Sequence, residues 1–83
     1  MFTNTIISNK LLAIARERGL LKSVCPSEIA RMLFQNDWRS HMEQIRKVAI
    51  ALEKLGKVII TQNDIPVSTD FIEGPIRIKI SKL

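Results

Sequence analysis

In Leu52-Glu53-Lys54-Leu55-Gly56-Lys57-Val58-Ile59-Ile60-Thr61 the apolar spacing changes from helical to extended at Gly56. Upstream, Trp38, Met42, Ile45, Val48, Ala49, Leu52 and Leu55 form one stripe at helical spacing. That predicts a long helix from about Trp38 to Leu55, with Gly56 as its stop. Downstream, Val58-Ile59-Ile60-Thr61 is rich in β-branched residues and predicts a strand. Asp37 is one candidate cap for the long helix. Ser40-His41-Met42-Glu43 also fits a capping box, which places the start three residues later.

Working towards the N-terminus, Gln35-Asn36-Asp37 is a polar break, and Cys25-Pro26-Ser27-Glu28 marks the start of a second, short helix over about 26–34. Pro26 suits the first helical position, and Glu28 can reach back to the free amides. Ile29 and Leu33 form one apolar pair there, Ala30 and Phe34 the next. Before it, Leu20 to Cys25 is a short extended connection. A first helix runs from about Thr5 to Arg18, with Ile7, Leu11, Ile14 and Ala15 on one face, Thr3 or Asn4 as its cap and Gly19 as its stop.

Towards the C-terminus, Asn63-Asp64 is a turn signal, and Ile65 to Val67 extends a hairpin. Gly74-Pro75 opens a strand in which Ile76, Ile78 and Ile80 face inward while Arg77 and Lys79 face out. The expectation is an α+β fold: a single winged-helix domain over residues 1–83, with three helices, residues 58–62 antiparallel to 76–80, and a C-terminal β-hairpin wing. The second and third helices form its helix-turn-helix.

The same residues resemble an uncharacterised family of small bacterial winged-helix-like proteins. The resemblance lies in Ser23-Val24-Cys25-Pro26-Ser27-Glu28-Ile29-Ala30-Arg31, then Trp38-Arg39, Ile45-Arg46, Thr61-Gln62 and Gly74-Pro75-Ile76-Arg77, over roughly residues 10–80. It implies the fold and no activity. The sequence departs from the pattern at Asn63-Asp64, where the family leads one to expect a glycine.

Composition narrows the function classes. The apolar stretches are too short for a membrane span. The segment Met1 to Thr5 carries no basic flank ahead of an apolar run, so the chain reads as lacking a secretory signal. The single cysteine, Cys25, cannot form an internal disulfide, and a cytoplasmic setting is the simplest expectation. A thiol at a helix N-terminus can be reactive, but a nucleophile also needs a base, and the bland role of Cys25 is a partly buried cap. His41, the one histidine, falls at the edge of the apolar stripe. With one Cys it cannot supply the usual four zinc ligands. The glycines are too scattered for a phosphate loop. We therefore expect neither an enzyme nor a cofactor.

Net charge is +5, with the excess in residues 1–22 and 39–57. On a helical wheel centred on Ile45, the far side of the third helix carries Arg39, Glu43, Arg46, Lys47, Ile50, Lys54 and Lys57. This face enters the major groove in helix-turn-helix proteins. Arg39, Arg46, Lys47 and Lys54 are the expected phosphate or guanine contacts, with Ser40 as a phosphate donor. Against this, any solvated helix face tends to be charged, and Lys54 also complements the C-terminal dipole. The wing is not a strong phosphate clamp, because Asp64, Asp70 and Glu73 offset Arg77, Lys79 and Lys82. Few aromatics argue against a single-strand stacking platform. Ile50 fits a thymine methyl or a protein interface. The resulting expectation is a module that binds duplex DNA, as a transcriptional regulator does, with a homodimer doubling its small footprint. The alternative is a winged helix that meets an acidic protein partner and binds no nucleic acid. Trp38, in line with the stripe, is expected to be largely buried.

Overall fold

The computed structural model describes residues 3–68 and 72–82. Asp70, counted above in the balance of wing charges, lies outside the described residues, as do Met1 and Phe2. Helix α1 spans Asn4–Arg18, capped by Thr3, whose Oγ1 accepts the Ile6 N–H at 3.2 Å. Helix α2 spans Pro26–Phe34, with Cys25 as its cap residue. Helix α3 spans Met42–Lys54. Among the described residues no helix is long and apolar enough to cross a membrane.

The expected start of the long helix at Trp38 is corrected. Residues Gln35–His41 form a 3-10 segment, and α3 begins only at Met42, close to the start that Ser40-Glu43 spacing allowed. Gln35 takes a left-handed φ of 51°, and Asp37 departs from helical geometry at φ −97°, ψ 17°. Both break the α-helical ladder between α2 and α3. Asp37 caps through side chains, accepting from Ser40 Oγ at 2.7 Å and pairing with His41 Nε2 at 3.1 Å. A 3-10 turn advances about 120° per residue rather than 100°, which carries Trp38 off the stripe. Trp38 is therefore only half-buried, at the margin of the core. Leu55, beyond the last turn of α3, is 70% exposed instead of completing the stripe.

Strands β1 (Val58–Gln62), β2 (Ile65–Pro66) and β3 (Arg77–Ile80) form one antiparallel sheet in the order β2-β1-β3. The register from Val58↔Ile80 to Thr61↔Arg77 matches the expected pairing of the two long segments. They are not neighbours through a simple hairpin, however. β1 first turns through Asn63-Asp64 into β2, and β3 then pairs along its opposite edge. Asn63 and Asp64 take φ of 52° and 64°, the left-handed pair that a two-residue hairpin needs. Asn and Asp tolerate that region, so the tight turn forms without the glycine the resemblance suggested. The extended stretch before α2 reduces to one bridge. Val24 and Ile78 exchange two backbone hydrogen bonds of 2.8 Å.

The core lies between the helices and the inner face of the sheet. Ile7, Leu11, Ile29, Ile45, Ile60 and Ile78 are its largest fully buried members, with Ile76 and Ile80 as expected from the alternation. Ile50 is half-buried and packs against this core, which corrects its reading as an exposed contact residue.

Candidate nucleic-acid interface

The five expected contact residues do not lie on one helix face. Arg39 and Ser40 belong to the 3-10 segment, while Arg46, Lys47 and Lys54 belong to α3. Three arrangements result.

The first surrounds Trp38. The guanidinium carbon of Arg31, from the last turn of α2, sits 4.3 Å from the Trp38 ring centroid, and that of Arg39 sits 4.5 Å from it. Both distances lie well inside the range at which a cation is drawn to an aromatic face. Next to them His41 stacks on Phe34, with ring centroids 3.6 Å apart and planes 7° from parallel. Ser40 donates to Asp37, and this bond, followed by the one from His41, holds the Asp37 carboxyl below its ordinary pKa. Asp37 is thus engaged by Ser40 and His41 rather than by either arginine.

On the outward side of α3, exposed Lys47 lies 3.7 Å from exposed Glu43, one turn before it. Such a pair contributes only about 0.3–0.5 kcal/mol and leaves Lys47 available to a stronger anion. Lys54, two turns on, is exposed near the C-terminal end of the helix, where its charge also complements the dipole.

The third arrangement draws Arg46 away from that side. Its Nη1 donates to the Gly74 carbonyl at 3.1 Å, tying α3 to the chain entering β3. Gln62 Nε2 donates to the carbonyls of Glu73, at 2.6 Å, and Pro75, at 3.2 Å. Arg77 Nε donates to Ser23 Oγ at 2.6 Å, and Glu28 accepts the Cys25 N–H at 2.8 Å while pairing with Arg18. Segments that carry the family resemblance therefore meet around the start of α2. They enclose a cleft of about 280 Å³ lined by Cys25, Ser27, Met42, Arg46 and Arg77, among others. Burial pushes the Cys25 thiol up, but the bonds from Ser27 Oγ and the amides of Glu28 and Ser27 outweigh it, leaving it below its usual value.

Helical periodicity found Arg39, Ser40, Arg46, Lys47 and Lys54 as polar positions but missed Arg31 and the surface role of Trp38. Tryptophan in line with an apolar stripe reads as core, and only the 3-10 segment sets it at the surface between cations. Among the described residues no group of three or more His, Cys, Asp and Glu is placed to hold a metal ion. His41 is instead engaged with Phe34 and Asp37, and Cys25 with Ser27.

The model of a protein family of unknown function, DUF3253, matches residues 4–81, and the chain belongs to that family. No curated protein matches it.

Proposed function

We propose that this member of a family without assigned activity is a winged-helix module that binds duplex nucleic acid, DNA in the first instance. The second motif helix is α3, the 3-10 segment Gln35–His41 takes the place of the motif's turn, and β1 to β3 with the Val24 bridge supply the wing sheet. The observation that carries this reading is that Arg39 on the 3-10 segment and Lys47 and Lys54 on α3 are all exposed. Among the described residues Arg39 meets no carboxylate, and Lys47 meets only a weak one. Exposed cations on and just before a helix of groove-fitting size are what phosphate-backbone association uses. Arg46 serves the same function indirectly, holding the chain before β3 against α3.

Binding of a random-sequence duplex at two salt concentrations tests the proposal. Each phosphate contact contributes roughly 0.9 to the slope of log affinity against log salt. A steep loss of affinity with salt supports the reading, and no binding at low salt overturns it.

One observation favours the second reading, a module that meets a protein. A cleft of about 300 Å³ between α1 and α3, lined by Val48, Ala51, Leu52 and Leu55, leaves Leu55 largely exposed beside Lys47. An acidic partner with an apolar anchor fits that surface. Binding of such a partner with no duplex binding at low salt selects this reading.

A further inference from the structure

We infer that Arg31 and Arg39, set on Trp38, form a two-pronged clamp for successive phosphates of one nucleic-acid strand, and that this corner anchors the chain on its ligand. The inference rests on the nucleic-acid reading above and locates its main anionic contact off α3. Three observations carry it.

First, two like charges are held on a single indole, their guanidinium carbons 4.3 and 4.5 Å from its ring centroid. Mutual repulsion opposes that arrangement, and a phosphate bound at each guanidinium offsets it. Second, neither guanidinium meets a carboxylate among the described residues. The acid of this segment, Asp37, is engaged by Ser40 and His41. A guanidinium stacked on a ring keeps its five N–H donors at its edges, where they suit the bidentate geometry of phosphate oxygens. Third, both arginines are exposed while Trp38 is half-buried. The indole is thus fixed by the core margin and acts as a positioning residue, limiting the rotamer freedom the arginines lose on binding.

Phosphate is favoured over an acidic peptide for a geometric reason. Phosphates follow one another at regular intervals along a DNA strand, so two planar forks set on one ring meet charges that the ligand already holds in order, without its having to fold. Carboxylates on a flexible peptide must be ordered before they reach both prongs.

Trp38 is the sole tryptophan, so its emission reports occupancy at the clamp itself. The intact chain is titrated at low salt with a duplex oligonucleotide, followed both by this emission and by anisotropy of labelled DNA. The expected result is a shift or quench of Trp38 emission that saturates together with the anisotropy. Arg31→Ala/Arg39→Ala is expected to bind at least tenfold more weakly, with a salt slope smaller by up to about two. Arg31→Lys/Arg39→Lys keeps the charge and loses the planar fork. It is expected to keep most of the salt slope while still losing affinity. Circular dichroism and thermal melting establish that each variant is folded. DNA binding by the wild type with an unchanged slope and affinity in the alanine variant overturns the clamp and leaves the proposed function standing. So does DNA binding that leaves Trp38 emission untouched. No wild-type binding to DNA at low salt overturns both, and a Trp38 response to polyglutamate in that case assigns the corner to an acidic protein.

Discussion

Arg18, in the last turn of α1, and Glu28, in the first turn of α2, are joined by two parallel hydrogen bonds, Nη1 to Oε2 at 3.0 Å and Nη2 to Oε1 at 2.7 Å. The same carboxylate accepts the Cys25 amide, and Arg18 also donates to the Ser23 carbonyl at 3.1 Å. One ion pair therefore fixes both the start of α2 and its angle to α1. The direct bond from Arg18 is the main reason the Glu28 carboxyl sits below its ordinary pKa.

That depression makes a pH prediction. A carboxyl whose folded pKa is lowered contributes stability above its unfolded value, near 4.3, and loses it as pH falls towards the folded value. Urea unfolding midpoints of the wild type should fall between about pH 5 and pH 3. Glu28→Gln should lower the midpoint at pH 6 and flatten that acid dependence. Equal acid slopes in the two proteins would contradict the linkage.

Trp38 is half-buried, so Trp38→Ala should cost less than a core truncation. We expect about 2 kcal/mol, from partial burial and two cation–π contacts, against the 3–5 kcal/mol of a buried aromatic. Ile45→Ala, at a fully buried position, should cost about 2–5 kcal/mol and leave a domain this small close to unfolding. Denaturant titration of both variants checks the order, and a larger loss at Trp38 would place it in the core after all.

Arg46 and Lys47 are neighbours in sequence with different tasks. Arg46→Ala removes the bond to Gly74 and should cost about 1 kcal/mol of stability. Lys47→Ala should change stability by less than about 0.5 kcal/mol while reducing the salt slope of duplex binding by about 0.9. Thermal melts and salt titrations of the two single variants separate these effects. A destabilised Lys47→Ala with an unchanged slope would reverse the assignment.

The β1–β2 turn offers a gain of stability. Asp64 holds a φ of 64° that glycine adopts without a side-chain penalty. Asp64→Gly should stabilise the chain by about 0.5–1 kcal/mol, and Asp64→Val, β-branched at a left-handed position, should destabilise it. A melting temperature that moves the other way in either variant would mean that the turn is not of this type.

What could be read from the residues in order was whatever depends on near neighbours. Helical spacing up to Leu52, the change of period at Gly56, the Cys25–Glu28 cap and the alternation of Ile76, Ile78 and Ile80 each express local backbone preference and one-sided burial. Together they suffice for an α+β chain with helices and a small antiparallel sheet. Tertiary structure alone decided the rest. Arg18 meets Glu28, Arg77 meets Ser23 and Arg46 meets Gly74 across separations that no local pattern encodes. The tilt of Trp38 towards Arg31 and Arg39 follows from a 3-10 segment whose left-handed Gln35 and side-chain-capped Asp37 override the apolar periodicity. Periodicity reports which side of an element seeks the core. Where an element begins to turn differently, packing and side-chain hydrogen bonds between distant residues choose the direction.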